Sequence, residues 1–432
     1  MKLSKYTLFF NDEDRFIVYN SLYDSIMICT SQVVALIRDN EESVDSIENI
    51  HPSLFNYLAQ KKFIVADDSD EVQEFISSLE REFDDEREYS ITINPTMNCN
   101  LKCWYCYEEH LAHSMMSSET MDSICKLLQS IFAEHKAKSL HLSFFGGEPL
   151  LGFNKCVNPL IQYTNELCKR HDADFSFSFT TNAVLLARDL CDILYGYGRN
   201  VSFQIPFDGS RKVHDSIKHT YNREGTYDTI LANLKYALSK NFHVTARCNY
   251  TRDSAESFSD FINDIAPLLK QYPETLKIAF QQVWQDAENG KASEIIEKLE
   301  ARINNIGGRY YTPTMDSSRC YADKKNSFVI NYNGDIYQCT AREFTEINKE
   351  GILQSDGTIL HNDRYRLRME SRFSNPECLE CKVFPICNLC TQKRIERGND
   401  KCLCSNYPNY KDDLAISRIN SLYKFTRMNK SE

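Results

Sequence analysis

Tyr89-Ser90-Ile91-Thr92-Ile93-Asn94-Pro95 runs almost directly into Asn98-Cys99-Asn100-Leu101-Lys102-Cys103-Trp104-Tyr105-Cys106-Tyr107. The first stretch alternates as a strand does. The second is a CxxxCxxC triplet with an aromatic, Tyr105, before its last cysteine. Three thiolates on one short loop can hold three corners of a cubane iron–sulfur cluster and leave the fourth iron open to a small molecule. A structural zinc normally takes a fourth Cys or His at matched spacing. His110 is near, but nothing here reads as a paired zinc knuckle.

A second strand-like run, His141-Leu142-Ser143-Phe144-Phe145, ends in Gly146-Gly147-Glu148-Pro149. Two glycines let a backbone approach a ligand closely, and Glu148 carries the charge that complements an ammonium. Further strands are predicted over 89–96, 140–145, 175–181, 201–206, 242–250 and 277–283. Amphipathic helical stretches lie between them, near 117–134, 157–170, 187–196, 226–239 and 255–269. Six β/α units in this order predict a parallel sheet with helices outside. The motifs fall just after strand ends, where parallel α/β folds place their active sites. The pattern alone fits a doubly wound sheet or a barrel.

Composition narrows the class. At 432 residues the chain is too long for one ordinary core, so two or three domains are expected. Fifty basic against 61 acidic residues, a net charge of −11, argues against a general nucleic-acid binder. No run of 18 apolar residues is present and Met1-Lys2-Leu3-Ser4-Lys5 leads into no signal-peptide core, so no membrane association and a cytoplasmic location are expected. Seventeen cysteines in a reducing compartment point to metal where they cluster. Cys29, Cys125, Cys156, Cys168, Cys191 and Cys248, which do not cluster, read as core-filling thiols.

The cysteine triplet, its aromatic and the GGEP segment about forty residues later resemble the radical S-adenosylmethionine (SAM) superfamily. The resemblance implies a partial six-stranded (β/α) barrel. It also implies a [4Fe–4S] cluster on Cys99, Cys103 and Cys106, with SAM lying against Tyr105 and Gly146-Gly147-Glu148-Pro149. Phe179-Thr180-Thr181-Asn182 matches a TNG-like segment beside the methionyl and ribose groups, with Ala183 in place of the usual glycine. Phe207-Asp208-Gly209, His214-Asp215 and Arg223-Glu224-Gly225-Thr226-Tyr227 resemble a run common in the peptide-modifying branch, in which Arg223 or Lys218 could hold the arginine's role. Arg247, in Arg247-Cys248-Asn249, could pair with the SAM carboxylate. The plainer alternatives are a simple turn at Asp208-Gly209 and a surface ion pair at Arg247.

The C-terminal third holds a second cysteine set: Cys320, Cys339, Cys378-Leu379-Glu380-Cys381, Cys387-Asn388-Leu389-Cys390 and Cys402-Leu403-Cys404. Asn333-Gly334 between the alternating runs Ser327 to Tyr332 and Asp335 to Thr340 predicts a two-residue hairpin. The set resembles the SPASM domain, whose cysteines hold two auxiliary [4Fe–4S] clusters. By position, Cys320, Cys339 and Cys390 would serve the first, and Cys378, Cys381, Cys387 and one of Cys402 or Cys404 the second. Two residues rather than three separate Cys387 from Cys390, which puts Cys390 in question, and no further cysteine lies between Cys320 and Cys339. CxxC…CxxC alone also reads as a pair of zinc knuckles.

Before the barrel, Tyr6 to Phe10, Arg15 to Tyr19 and Asp24 to Ile28 read as short strands, followed by helices near 31–38, 43–49 and 52–60 and a wing at Lys62-Phe63-Ile64-Val65. This resembles the winged-helix-like peptide-recognition element of peptide maturases, which holds a leader peptide on a strand edge; a structural cap or dimerisation module is the plainer reading. Val72, Phe75, Ile76, Leu79 and Phe83 fall at helical spacing within an acidic stretch and mark a solvated linker helix packed by one stripe. The expected domains are therefore 1–88 (winged-helix-like, with the linker helix), 89–310 (barrel) and 311–432 (SPASM).

The resemblance implies an oxidoreductase acting on a precursor peptide, leader-dependent, with a reductant such as flavodoxin or ferredoxin. Thr340 after Cys339, where sulfatase maturases carry aspartate, and the long N-terminal region favour ribosomal-peptide modification, a thioether crosslink first. A sulfatase-maturase-like formylglycine-forming enzyme and a non-catalytic peptide- or zinc-binding scaffold are the alternatives.

Overall fold

The computed structural model describes residues 1–12, 15–198, 200–286, 290–310, 319–396, 398 and 409–428. Its middle is a run of strand–helix units: β1 (Glu88–Ile93), β2 (Ser139–Phe144), β3 (Asp174–Thr180), β4 (Val201–Phe207), β5 (His243–Tyr250) and β6 (Leu276–Gln282). The intervening helices are α1 (Ser118–Ala133), α2 (Asn158–Arg170), α3 (Arg188–Tyr195), α4 (Tyr227–Ser239) and α5 (Phe258–Gln271), and α6 (Gly290–Ile306) follows β6. The strands match those expected from alternation, each within a few residues. The helix α6, absent from the sequence expectation, is the sixth.

Neighbouring strands pair in parallel and in chain order, β1 to β6. Because this order never reverses, right-handed crossovers put every helix on one face. A doubly wound sheet reverses its order at a switch point, so the strand order excludes it and leaves the winding of a partial barrel. The sheet stays open. β7 (Arg309–Tyr310) extends it beyond β6, and β8 (Ser327–Ile330) joins β1 in parallel at the other side. From there β9 (Asp335–Tyr337), β10 (Gly351–Leu353) and β11 (Ile359–His361) continue antiparallel. The β8–β9 hairpin turns at Asn333-Gly334 as expected, with Gly334 at φ 85°.

The period-2 pattern sorts the two faces. Leu140, Leu142 and Phe144, and Val201, Phe203, Ile205 and Phe207, are buried against the helices. Their neighbours on the opposite face are small or polar: His141 and Ser143, Ser176 and Ser178, Ser202 and Gln204. On that face His141 Nδ1 and Nε2 each lie 2.8 Å from a hydroxyl, those of Ser176 and Ser178. On the helix side Phe144, Phe179 and Phe203 stack in sequence, at 5.2 and 5.4 Å between ring centroids, and Phe203 meets Phe242 at 5.6 Å.

Compactness groups the chain into two units rather than three consecutive segments. One comprises 85–312 and 326–365; the other comprises 1–84, 313–325 and 366–432. Residues 326–365, expected with the C-terminal domain, belong with the barrel because β8 completes hydrogen bonding along the free side of β1. In the second unit Thr7–Asp12, Arg15–Asn20 and Ser25–Cys29 form an antiparallel sheet, followed by helices Ser31–Asp39, Ser46–Ile50 and Pro52–Gln60. The stretch expected as a wing contributes Ile64–Val65, which pairs with Lys2–Leu3. The helix Glu71–Phe83 is capped by Asp70, whose side chain accepts from Gln73 N at 3.0 Å. It packs by its one apolar stripe: Phe75 lies edge-on against Tyr6 and Phe384, at 6.4 and 5.6 Å, against a core that includes Cys378 and Cys381.

Phe203→Ala removes the centre of the stacked aromatic row. The expected cost is about 3–5 kcal/mol, read as an earlier denaturant midpoint of the barrel unit, with Ser202→Ala on the opposite face close to wild type.

Candidate active site

The cysteine loop is a closed clasp. It leaves β1 and returns at Met116, whose N–H donates to Pro95 O at 2.9 Å. Ser114 pins its middle: Met97 N donates to Ser114 Oγ at 2.8 Å, and that hydroxyl donates to Leu111 O at 2.5 Å. Leu101–Lys102 forms a two-residue ribbon with His219–Thr220, tying the clasp to the segment after β4. Cys99 is buried, Cys103 half-buried and Cys106 exposed. The three thiols are close enough to influence one another electrostatically. Burial pushes Cys99 up to about 12 and raises Cys103 and Cys106 as well.

Each thiol has a polar neighbour. Asn182 Nδ2 lies 3.7 Å from Cys99 Sγ, Lys218 Nζ 3.5 Å from Cys103 Sγ and His110 Nε2 3.5 Å from Cys106 Sγ. Three sulfurs on one clasp, each near a potential hydrogen-bond donor, fit the thiolate donor set of an iron–sulfur cluster. Among the described residues, no three His, Cys, Asp or Glu side chains converge on a point as a single metal ion would require. Glu108, two residues past Cys106, is buried, and among the described residues neither carboxylate oxygen has a hydrogen-bond partner. Burial, then Glu343, lifts its pKa to about 8.

The GGEP segment follows β2 and lies against this clasp. Gly147 N donates to Thr96 O at 3.0 Å and Glu148 N to Asn98 O at 2.8 Å. A Cβ on Gly147 would collide with the Asn98 carbonyl, and one on Gly146, at φ 101°, with the Thr96 carbonyl. The glycines therefore permit a backbone-on-backbone approach. Glu148 is fully buried and its carboxylate is already engaged. It accepts from Leu150 N at 2.9 Å, Thr181 Oγ1 at 2.8 Å and Asn182 N at 2.8 Å. Burial lifts its pKa to about 7 against the pull of these bonds. Here Glu148 joins the loop after β2 to the turn after β3. Ala183 occupies the left-handed region at φ 62°, its carbonyl accepting from Asn233 Nδ2 at 2.8 Å.

Tyr105 is the hub of a second network. Its hydroxyl is 2.5 Å from Asp208 Oδ1, 2.9 Å from Lys218 Nζ and 3.1 Å from Asn249 Nδ2. Asp208 is fully buried, and its Oδ2 lies 3.3 Å from Lys218 Nζ. Asn249 Oδ1 in turn accepts from Arg247 Nε at 3.0 Å. Tyr105, Asp208 and Arg247, singled out in the sequence, thus join one chain of contacts from β4 and β5 to Cys103. Of the two alternatives for the branch's arginine, Lys218 lies in this network, buried beside Cys103, and Arg223 is exposed. Gln285, whose Nε2 donates to Tyr105 O at 2.9 Å, belongs to no motif, and Asn249 stands in the sequence only beside Arg247, with no role. Asn249 shares its strand face with Arg247, two residues earlier, which is the signal that could have found it.

His214 sits behind this network, fully buried. Its Nδ1 accepts from Asp208 N at 3.4 Å and its Nε2 faces Thr226 Oγ1 at 3.3 Å, an oxygen whose own proton goes to Lys218 O. That arrangement suits the neutral ring, and burial lowers its pKa to about 4.

Of the C-terminal cysteines, Cys378, Cys381 and Cys387 come together in the second unit, where Cys381 N donates to Cys378 O at 3.1 Å and the Cys378 thiol feels both of the others. Cys320 and Cys390 face each other closely enough to share a proton, which raises Cys320 and lowers Cys390. Cys339 belongs to the barrel unit, after β9, near Tyr107, whose hydroxyl donates to Thr340 O at 2.8 Å. Cys402 and Cys404 lie outside the described residues.

A sequential parallel sheet with a cysteine clasp over its C-terminal ends defines the class, and the comparisons agree. Residues 93–265, about two fifths of the chain, match the radical SAM superfamily model. It is 22% identical to the radical SAM cyclopropyl synthase TigE of Paramaledivibacter caminithermalis, over 61% of this chain and 60% of that one. It is 29% identical to an uncharacterized protein of Synechocystis over 35% of this chain and 38% of that one. The chain thus spans less than two thirds of each of these two relatives. The cysteine-type anaerobic sulfatase-maturating enzyme of Clostridium novyi is 21% identical over 74% of this chain and 94% of its own. Among solved structures, anSMEcpe with bound AdoMet and Cp18Cys peptide superposes with a TM-score of 0.59 at 17% identity, covering 78% of this chain and 99% of that one. Streptococcus suis SuiB bound to precursor peptide SuiA gives 0.53 at 14% identity, covering 92% and 98%. Among the described residues, no helix is long and apolar enough to cross a membrane.

Two outcomes test this reading of the site. Glu148→Ala leaves three buried donors without their acceptor and is expected to cost about 2–4 kcal/mol, measured as a lower denaturant midpoint; a midpoint equal to wild type would mean the two loops are held otherwise. His214, neutral when folded and protonated when unfolded below about 6.5, contributes stability that is lost as pH falls from 6.5 toward 4. His214→Asn is therefore expected to flatten the fall in melting temperature across that window.

Proposed function

We propose that this protein is a peptide maturase that cleaves SAM reductively, takes a hydrogen from a ribosomal peptide with the resulting 5′-deoxyadenosyl radical, and installs a crosslink, a thioether first. When bound, a [4Fe–4S] cluster on Cys99, Cys103 and Cys106 supplies the electron that breaks the sulfonium bond. The observation that carries the reading is the clasp of three thiols seated on the Gly146-Gly147 turn and joined through Tyr105 to Asp208, Lys218, Asn249 and Arg247.

Each part has a task. The two glycines would leave backbone carbonyls open to receive the methionyl ammonium, while Glu148, locked to Thr181 and Asn182, holds that turn in place. Lys218 and Arg247 bring positive charge to this network, where a carboxylate would be received. Asn182 sits at Cys99 and Asn100, beside the expected position of the ribose. The remaining cysteines, Cys320, Cys339 and Cys390, and Cys378, Cys381 and Cys387 with Cys402 or Cys404, would hold two auxiliary [4Fe–4S] clusters, one of which would accept the electron left when the thioether closes, the thiol proton going to solvent. The three-stranded sheet Thr7–Asp12, Arg15–Asn20, Ser25–Cys29 has two outer strands, and a strand edge of this kind can take an extended leader peptide. The peptide-bound structures of anSMEcpe and SuiB support a peptide substrate. Flavodoxin or ferredoxin is the expected reductant, and the cytoplasm the expected compartment.

A sulfatase-maturase-like, formylglycine-forming activity is the second reading. The alignment over 94% of the Clostridium novyi enzyme favours it. Thr340 after Cys339 weighs against it.

After anaerobic reconstitution, about twelve irons per chain are expected, falling by about four in Cys99→Ala/Cys103→Ala/Cys106→Ala. With dithionite and SAM, wild type should release 5′-deoxyadenosine and the triple variant none. Zinc in place of iron, with no 5′-deoxyadenosine from wild type, would leave a binding module. Adding a cysteine-containing precursor peptide and weighing the product separates a crosslink, two hydrogens lighter, from unaltered peptide.

A further inference from the structure

Around Cys378, Cys381 and Cys387 the second unit buries positive charge. Arg319 and Arg394 are 8% and 3% exposed. Arg319 Nη2 donates to Phe384 O at 2.6 Å. That carbonyl also receives Cys387 N–H at 3.2 Å, and Phe384 N–H donates back to Cys381 O at 3.0 Å. The guanidinium therefore sits on the turn that carries the chain from Cys381 to Cys387. Arg394 approaches from the segment after Cys390, its backbone N–H donating to Cys390 O at 3.4 Å. The Phe384 ring takes both cations, at 4.6 Å from Arg319 and 5.9 Å from Arg394. Arg394 Nη1 reaches Arg372 O at 3.4 Å, and among the described residues its Nη2 has no hydrogen-bond partner. Both guanidiniums act electrostatically on the Cys378 thiol.

Buried cations are costly unless an anion answers them. Asp323, also buried, faces both arginines, but it is shared with buried Arg368 and also accepts from Thr391 N at 3.2 Å. The surplus charge faces the cysteines. A set of thiolates around an iron–sulfur cluster is anionic, and one-electron reduction from [4Fe–4S]2+ to [4Fe–4S]+ adds a further negative charge at the same place. Net charge and burial are among the quantities that set such a potential, and a fixed positive charge in a low-dielectric surrounding favours the more negative state.

We propose that Arg319 and Arg394 are positioning residues that raise the reduction potential of the auxiliary cluster held by Cys378, Cys381 and Cys387, so that this site is built to take up an electron rather than only to brace the fold. The proposal rests on the auxiliary-cluster assignment made above. It assigns the two arginines a role through their charge, separate from the hydrogen bond that Arg319 makes to the Phe384 carbonyl.

The test uses full-length protein carrying Cys99→Ala/Cys103→Ala/Cys106→Ala, reconstituted anaerobically, so that only auxiliary clusters report. Iron is counted, and the reduced signal is followed by electron paramagnetic resonance during a mediated potentiometric titration. Arg319→Gln and Arg394→Gln keep an N–H donor and remove the charge; Arg319→Lys and Arg394→Lys keep the charge. The expected result is unchanged iron and, for each Gln variant, at least a tenfold smaller ratio of reduced to oxidised cluster at fixed poise. That is a downward shift of 59 mV or more for a one-electron couple, with the Lys variants near the parent. Equal potentials in parent, Gln and Lys proteins would overturn the proposal. So would Gln and Lys variants that lose iron alike, because the arginines would then serve the turn and not the charge. If the parent itself holds no iron, the cluster assignment fails, a result distinct from a cluster whose potential ignores the arginines.

Discussion

The close approach of two backbones governs the barrel unit. Gly146 and Gly147 lie so tightly on the carbonyls of Thr96 and Asn98 that no side chain fits between them. Two N–H groups from the turn close the contact, Gly147 to Thr96 and Glu148 to Asn98. The cysteine clasp is thereby registered on the end of β2, not left as a loop over the sheet. Glu148 then carries the same registration to the end of β3 through Thr181 and Asn182. A buried carboxylate is tolerated here because three donors meet it, the condition under which buried charge survives at all.

Polar burial recurs on the other side of the clasp. Tyr105, Asp208, Lys218 and Asn249 form a network in which the phenol meets a carboxylate, an ammonium and an amide. Such networks are expensive when incomplete and rigid when satisfied. This one runs from the strand ends of β4 and β5 to Cys103, so the position of that sulfur is coupled to the sheet. His214 closes the back of the network as a neutral ring, which keeps a second positive charge away from Lys218.

Likeness to known proteins is a matter of architecture more than of sequence. Identities of 14–17% accompany TM-scores of 0.53–0.59, because a sequential parallel sheet asks only for alternation, crossovers and glycines at the close approach. Substitutions such as Ala183 at φ 62° are then absorbed locally, here by the bonds that Asn233 and Thr181 make to its backbone.

By itself, the sequence determined the local features. The six parallel strands, five of their helices, the Asn333-Gly334 hairpin, the cysteine clasp and the glycine turn each rest on periodicity or on one residue's conformational freedom, which are properties of a short segment. Only the tertiary structure decided what depends on distant partners. Strand order excluded the doubly wound sheet. Pairing of Ser327–Ile330 with β1 moved 326–365 into the barrel unit. The stripe from Val72 to Phe83 marks a packed helix, but its partners, Tyr6 and Phe384, come from distant segments of the chain. Glu148, read as a partner for an ammonium, is enclosed by Leu150, Thr181 and Asn182. Lys218 lies buried beside Cys103 while Arg223, five residues on, is exposed, a difference set by the whole fold rather than by neighbours along the chain.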